Sequence, residues 1–342
     1  MPQKHEFYMQ RCLHLAKCSQ GDVAPNPMVG AVLVCNDEII SEGRHRYFGG
    51  PHAEVEAIQG VDDETLQKCT LYVNLEPCAH HGKTPPCSNL IIQKKIPRVI
   101  IGSSDSFEKV NGKGIDLLRN AGIDVISGII EEKCRWLNRS FFTFHEKKRP
   151  YFILKWAESL DGKMSGVSGE RNLISGYASN LLVHQWRASE QAIMTGTNTI
   201  KADNPFLTVR EVPGKNPLRI FMDKNISVGH NANVFNNDAN TLVFNAIEDK
   251  ITDNTERCKI EHWNSPFEEI CKHLYNKNIQ SVLVEGGAAL LNSLIKHGLN
   301  DEIRIIKSKN KIIGNGLDAP EYSGNCYLTK ETDEDLIYYF RT

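Results

Sequence analysis

The spacing of apolar residues changes repeatedly along the first half of the chain. Met9, Cys12, Leu13 and Ala16 recur at i, i+3, i+4 and i+7, the stripe of an amphipathic helix laid against a core. Pro25-Asn26-Pro27 ends that pattern. Met28 to Val34 and Ile39 to Gly43 then flank Asn36-Asp37-Glu38, which predicts a hairpin. A helix opening at His52-Ala53-Glu54 and ending near Gly60 is expected next, then a strand from Thr70 to Leu75 and a helix from Cys87 to Lys94. Arg98 to Gly102 is a short apolar strand, Gly112-Lys113-Gly114 leads a helix to Asn120, and Ile123 to Ile126 is a further strand. Glu131 to Phe144 is predicted as one helix bearing Trp136, Leu137, Phe141 and Phe142. Strands that alternate with helices in this way predict one sheet with helices packed around it.

The basic run Lys147-Lys148-Arg149-Pro150 is expected to be a solvated connector, and it sets the domain boundary: a first domain over 1–146 and a second over 150–342. After it the pattern restarts. Phe152 to Ala157 is a strand, Ser179 to Ala188 a helix, and Ala192 to Thr195, Arg219 to Asp223, Thr241 to Asn245 and Ser281 to Glu285 are buried strands. Glu302 to Lys307, Cys326 to Lys330 and Leu336 to Arg341 predict antiparallel strands at the end of a mostly parallel sheet. Asp203 to Arg210 is expected to be a turn feeding a short strand.

Length and charge narrow the class. A chain of 342 residues fits two domains. A formal net charge of −2 gives no reason to expect a nucleic-acid or membrane surface. The first residues lack the apolar core of a secretory signal and no run approaches a membrane span, so a cytoplasmic protein is expected. Eight of the ten cysteines lie scattered without ligand spacing and are expected to be free thiols, mostly packed.

The other two, Cys78 and Cys87, carry chemistry together with His52. One imidazole and two thiolates hold Zn²⁺ at three corners of a tetrahedron and leave the fourth open, the donor set of a catalytic site. Two thiolates cancel the metal's charge and weaken its ability to acidify water, so a nearby carboxylate has to take the proton. Glu54 is that base, as in zinc deaminases with H-x-E and P-C…C elements. Residues two apart in a helix diverge, so His52 and Glu54 converge only if His52 sits at the helix start, an entry that Pro51 favours. Cys78 is likewise expected to open a helix after Pro77. His80 and His81 are expected to be loop or substrate-facing residues.

In the second half, Val284-Glu285-Gly286-Gly287-Ala288 is a strand, two glycines and a helix, a turn that lets backbone approach a phosphate. No complete G-x-G-x-x-G occurs, which argues against a Rossmann dinucleotide site. Arg187 and Arg210 match the bidentate geometry of a phosphate, or pair with carboxylates.

Both halves resemble one family, the bifunctional riboflavin-biosynthesis deaminase/reductases. Pro25-Asn26-Pro27-x-Val29-Gly30, His52-Ala53-Glu54, Glu76-Pro77-Cys78 and Gly82-Lys83-Thr84-Pro85-Pro86-Cys87 carry the resemblance in the first half. Lys155-x-Ala157-x-Ser159-Leu160-Asp161-Gly162, Ser168-Gly169-Glu170, Thr195-Gly196-x-x-Thr199, Ala202-Asp203-Asn204-Pro205-x-Leu207-Thr208-Val209-Arg210 and Glu285-Gly286-Gly287 carry it in the second. The resemblance implies an α/β chain: a cytidine-deaminase-like α/β/α domain followed by a dihydrofolate-reductase-like α/β domain.

It also implies zinc-dependent deamination of a diaminopyrimidinone ribosylamine phosphate, then reduction of the ribosyl group to a ribityl chain with NADPH. Asn26, His45 and Lys83 would face the first substrate, and Ala157, Thr199, Asp203 and Gly287 the nicotinamide cofactor. Lys155, Arg171, Arg187, Leu207, Arg210 and Glu285 would line the second substrate, with Lys155 polarising its ribosyl end. The partner implied is a small molecule, a phosphoribosylaminopyrimidine, and a homo-oligomer is expected. Ser106, Phe107, Leu173 and Asn310 depart from the family's pattern. Two other readings stay open at this point: a nucleoside or tRNA deaminase with a non-catalytic second domain, and a zinc-stapled binding protein without catalysis.

Overall fold

The computed structural model describes residues 2–79, 85–106, 112–167 and 173–342. His80, His81, Lys83, Phe107, Ser168-Gly169-Glu170 and Arg171 lie outside the described residues. The chain forms two compact units, Met1–Lys148 and Arg149–Thr342. No helix among the described residues is long and apolar enough to cross a membrane.

The first unit runs α1 (Pro2–Lys17), β1 (Gly30–Cys35), β2 (Glu38–Arg44), α2 (Ala53–Ile58), α3 (Asp63–Leu66), β3 (Thr70–Leu75), α4 (Cys87–Gln93), β4 (Arg98–Ser103), α5 (Lys113–Asn120), β5 (Asp124–Ser127), α6 (Glu131–Leu137) and α7 (Arg139–Lys147). Its sheet has the order β2-β1-β3-β4-β5, with β1 antiparallel to both neighbours and β3, β4 and β5 parallel. Side chains alternate across each strand, and the two faces bury different helices. Val32, Val34, Tyr72 and Ile100 meet Met9 and Cys12 of α1 on one side. Ala31, Leu33, Leu71 and Val73 meet Ala53, Ala57, Ile91 and Leu118 of α2, α4 and α5 on the other, which makes three layers.

Three local expectations need correction. The hairpin turns on Asn36 and Asp37 alone, both at positive φ (47° and 70°), the two-residue turn whose twist matches its strands. β1 starts at Gly30, not Met28, because side chains hold Met28: its N–H donates to Asn138 Oδ1 (2.8 Å), and its carbonyl accepts from Asn138 Nδ2 (2.9 Å) and Asn74 Nδ2 (3.1 Å). The same Asn138 interrupts the single helix expected over Glu131–Phe144. It stands between α6 and α7 at φ −101°, ψ 25°, with its amide committed to Met28.

The second unit runs β6 (Tyr151–Glu158), β7 (Lys163–Gly166), α8 (Tyr177–Ser189), β8 (Ala192–Gly196), α9 (Thr197–Asp203), β9 (Leu218–Met222), β10 (Thr241–Asn245), β11 (Lys250–Thr252), β12 (Thr255–Lys259), α10 (Phe267–Asn276), β13 (Ser281–Val284), α11 (Ala288–Lys296), β14 (Glu302–Ser308), β15 (Gly316–Asp318), β16 (Asn325–Glu331) and β17 (Asp335–Arg341). Its large sheet has the order β11-β12-β10-β9-β8-β13-β6-β14-β17-β16. β14 lies parallel to β6 and antiparallel to β17, so the switch of direction falls after Glu302–Ser308 and not before it. Phe152, Leu154 and Trp156 of β6 pack with Phe267, Ile270, Leu291 and Leu294 of α10 and α11. Tyr151 and Ile153 point the other way, to Val183 and Trp186 of α8.

Two further expectations fail here. Arg149 is no solvated connector residue: it donates to both oxygens of Asp301 (2.6 and 2.8 Å). The segment after α9 forms no strand. Asn204 and Leu207 take positive φ (40° and 53°), and the Leu207 side chain is buried with Ile193, Ile200 and Phe221.

Candidate functional site

His52 is the residue before α2, in extended conformation (φ −74°, ψ 158°), while Glu54 lies in the first turn and is buried. That break in geometry brings side chains two residues apart to one side, as the spacing required. Cys78 does not open a helix. It follows β3 in irregular backbone, and its carbonyl accepts from Ser88 N (3.2 Å) and Ser88 Oγ (3.0 Å), which hooks it to the first turn of α4. The helix begun by a ligand is α4, at Cys87. Two helix N-termini therefore still flank the cluster, at His52 and Cys87.

His52 Nδ1 lies 3.2 Å from Cys87 Sγ and 3.6 Å from Cys78 Sγ, and the three ligand atoms are within 4.8 Å of one another. Zinc bonds of about 2.3 Å to sulfur and about 2.0–2.1 Å to nitrogen put tetrahedral ligand atoms about 3.5–3.8 Å apart, so this donor set fits the ion. A hydrogen bond from Cys87, with His52 beside it, pulls the Cys78 thiol far below its ordinary range, and the same sharing pushes Cys87 up. His52 is raised to about 9 by its bond to Cys78. These are the groups whose protons a divalent cation displaces. Burial raises Glu54 to about 7, poised to hold or release a proton near neutrality.

Asn26 and His45 gather beside the cluster. His45 Nδ1 is 2.8 Å from the Pro51 carbonyl, which makes it the donor and leaves Nε2 to accept from Asn26 Nδ2 at 3.0 Å. Burial lowers the pKa of His45, in keeping with this neutral tautomer. The His45 and His52 rings meet edge to face at 5.5 Å.

Sequence reasoning quoted Glu76 only as part of a motif and gave it no role. Its buried carboxylate accepts four backbone N–H groups: Asp105 and Gly112 (both 3.0 Å) on Oε2, Gly114 (2.9 Å) and Ile115 (3.3 Å) on Oε1. Two residues before a metal ligand, it clasps the start of α5. Gly114 permits the approach, since a Cβ there would stand 2.1 Å from the Pro77 carbonyl. Glu76→Gln turns an N–H₂ group against two backbone donors. A loss of roughly 1.5–3 kcal/mol per broken charged bond is expected, with reduced deamination and unaltered reductase turnover. Denaturant melting and separate assays of the two reactions check it; an unchanged melt would remove Glu76 from this role.

In the second unit Glu285, just beyond β13, receives Arg187 Nε and Nη2 (2.7 and 2.9 Å) and faces Lys155 Nζ at 3.6 Å. Burial alone would raise Glu285, but Arg187 and then Lys155 outweigh it and hold the carboxyl at about 2. Burial lowers the Lys155 pKa, against the pull of Glu285. Arg187 is thus committed to a buried carboxylate. It also donates to the Thr208 carbonyl (3.1 Å), while Arg210 Nη1 donates to Thr208 Oγ1 (3.0 Å) and Arg210 N to His184 Nδ1 (3.0 Å). The strap from Asn204 to Arg210 is so tied to α8. His184, held down to about 4 by burial and then by Arg187 and Arg210, stays a neutral acceptor at neutral pH. His184 was not singled out from sequence, because a core histidine carries no motif, and Thr208 was quoted only within a motif and given no role.

Thr199 and Gly287 line one cavity of about 390 Å³ in this unit. A Cβ on Gly287 would come within 3.1 Å of Thr199 Oγ1, so glycine keeps the mouth of α11 open beside that hydroxyl. This fits a phosphate-bearing cofactor. Asp203 is exposed at the end of α9, and Ala157 is half-buried on β6, packed against the α8 face. Leu207, with its side chain in the core, has only backbone to offer a ligand.

An α/β/α unit carrying this His-Cys-Cys corner and buried glutamate is a zinc-binding deaminase unit of the cytidine-deaminase type, here joined to a dihydrofolate-reductase-like unit. Residues 2–103 match the cytidine and deoxycytidylate deaminase zinc-binding region, and residues 150–324 match the RibD C-terminal domain. The chain is 41% identical over 320 residues to riboflavin biosynthesis protein RibD of Aquifex aeolicus, covering 91% of this chain and 88% of that protein. It is 36% identical over 309 residues to RibD of Actinobacillus pleuropneumoniae, covering 86% and 81%. The crystal structure of a Thermotoga maritima diaminohydroxyphosphoribosylaminopyrimidine deaminase/5-amino-6-(5-phosphoribosylamino)uracil reductase matches with a TM-score of 0.91 at 37% identity, over 99% of each chain. The chain belongs to the RibD family of riboflavin biosynthesis proteins, bifunctional enzymes with a deaminase and a reductase in one chain.

Proposed function

We propose that the first unit hydrolytically removes the exocyclic amine of a diaminohydroxyphosphoribosylaminopyrimidine and that the second reduces the resulting 5-amino-6-(5-phosphoribosylamino)uracil, the activities named for the Thermotoga maritima relative. The observation that carries this reading is the convergence of His52, Cys78 and Cys87 beside buried Glu54. Zinc held by those three residues supplies the Lewis acid that makes water nucleophilic at neutral pH. Glu54 would take a proton from that water and give it to a ring nitrogen as the hydroxide adds to the amine-bearing carbon, then move the proton of the new hydroxyl to the amine, which leaves as ammonia. His45, fixed as a neutral ring by Pro51, orients the Asn26 amide toward the pyrimidine. Lys83 is assigned to the phosphate on its motif alone.

NADPH supplies the hydride for the second reaction. Thr199 and Gly287 bind it at the mouth of α11, and Ala157 and Asp203 are assigned to it on their motifs alone. Lys155 polarises the ribosyl group from its place opposite Glu285, and Arg187 keeps that carboxylate fixed. Arg210, Arg171 and the Leu207 backbone complete the substrate side. Eight free thiols beside the two zinc-ligand cysteines, with no disulfide among them, suit a reducing cytoplasm, where we place the enzyme.

A coupled assay on zinc-loaded protein, following ammonia and NADPH oxidation separately, tests the pair. Ammonia is expected without NADPH, and oxidation only once deaminated product is present. Ammonia with no oxidation at all would leave the second unit without its assigned reaction.

A further inference from the structure

We propose that Cys35 and Cys69 form an oxidation site: a low-molecular-weight disulfide converts the two thiols into a cross-strand bond that staples β1 to β3 and stabilises the first unit. Neither residue takes part in deamination or reduction.

The register of the sheet brings the two together. β1 and β3 are antiparallel, with Ala31 opposite Val73, Leu33 opposite Leu71 and Val34 opposite Thr70. One step further, the same register sets Cys35 opposite Cys69. Opposed residues of an antiparallel pair have Cα atoms about 4.5 or 5.5 Å apart, and disulfides span about 4.4–6.8 Å. Alternation puts both side chains on the face of Ala31, Leu33, Leu71 and Val73, and both belong to the apolar cluster there. Their sulfurs also turn to one bend of the chain: the Cys69 thiol donates to the Thr65 carbonyl (3.0 Å) and the Cys35 thiol to the Lys68 carbonyl (3.9 Å).

The two thiols differ in access. Cys69 is buried, while Cys35 is half-buried at the end of β1. Burial first, and then the neighbouring Cys35, raise the Cys69 thiol to about 11. Cys35 is therefore the group that meets the oxidant. Its thiolate attacks one sulfur of the small disulfide and releases the other half as a thiol, which takes up the proton. The Cys69 thiolate then attacks the Cys35 sulfur and releases the second half in the same way. Two electrons and two protons pass to the reagent, and one S–S bond forms for one broken. The new bond closes a loop that holds His45, His52 and Glu54, so it restricts the unfolded chain far more than the folded one. It lies roughly 20 Å of strand away from Asn26 and Cys78, at the opposite ends of β1 and β3, and deamination is expected to continue once it has formed.

The test treats the full zinc-loaded chain with oxidised glutathione, beside Cys35→Ala and Cys69→Ala, and reads unreduced peptide masses, zinc content and calorimetric melting. Wild-type protein is expected to yield a peptide linking Cys35 to Cys69, reversed by excess reduced glutathione, with zinc content and ammonia release unchanged. Melting of the first unit is expected to rise by roughly 4–16 °C on oxidation. Cys69→Ala is expected to keep glutathione on Cys35, and neither variant gains stability. Exposed Cys18 and Cys326 take up glutathione in all three chains and show that the reagent acts. Stable glutathione on Cys35 of the wild type with Cys69 left free overturns the inference, as does a linked pair without a rise in melting. Linkage of Cys78 to Cys87 with zinc release, in place of Cys35 to Cys69, overturns it too. Should Cys69→Ala fail to fold, Cys35→Ala decides, because a rise in its melting on oxidation would place the effect at other thiols.

Discussion

Glu54→Gln is expected to lower ammonia release by roughly 10²–10⁴-fold, the span of general acid–base catalysis, while zinc content and NADPH-dependent reduction of deaminated substrate stay at wild-type levels. The side chain is buried, so an isosteric amide keeps the packing and removes only the ability to carry a proton. Burial already holds the carboxyl near 7, where accepting and releasing a proton are both accessible. The ligands keep their backbone anchors, His52 at the entry to α2, Cys78 by its hook to Ser88 and Cys87 at the start of α4, and Cys87, which shares a hydrogen bond with Glu54, keeps a polar partner in the amide. Metal analysis beside the two assays separates the cases. Zinc loss in the variant would make Glu54 a structural partner of the cluster, and retained ammonia release would hand the proton to another group.

Glu285→Gln is expected to act on the other half of the chain and in two ways at once. Removing one charge from a buried ion cluster leaves Arg187 uncompensated, which costs roughly 3–5 kcal/mol. For a unit of this size that lowers its melting temperature by roughly 6–20 °C. Reductase turnover is expected to fall by roughly 10²-fold or more, because Lys155 and the Asn204 to Arg210 strap both lose the point that aligns them. Deamination by the same chain is the control and is expected to continue. Calorimetry and the separated assays measure both effects; a variant that melts as wild type would mean that Arg187 finds its counter-charge elsewhere.

The metal site was legible because zinc imposes its own grammar. Ligand types, the H-x-E step and the need for His52 at a helix start all follow from coordination and helix geometry, and the structure brings His52, Cys78 and Cys87 together beside Glu54. Strands with largely apolar runs, such as Thr70–Leu75 and Thr241–Asn245, were equally plain. What escaped were features made by one side chain reaching far along the chain. Nothing local in Glu131 to Phe144 says that Asn138 will leave the helix to hold Met28, and nothing in Asp203 to Arg210 says that Leu207 will take a left-handed backbone to bury its side chain. Cys78 was misplaced for a related reason: Pro77 signals a helix start in general, but here the carbonyl of Cys78 is tied to Ser88 and the helix begins nine residues later. The role of Arg187 also lay beyond sequence, since the phosphate and carboxylate partners of a guanidinium have the same geometry.

The grip of Asn138 on Met28 and the clasp of Glu76 on the opening of α5 bear on where this deaminase can be cut. The recognisable zinc-binding region ends at residue 103, yet the groups that keep its first strand and its cysteine-bearing loop in place come from residues 105 to 138. The stretch that matches the zinc-binding region is therefore shorter than the stretch that must travel together for the site to survive transplantation. A portable deaminase module made from this chain has its natural seam after Lys148, and the helices that look like a tail are part of its foundations.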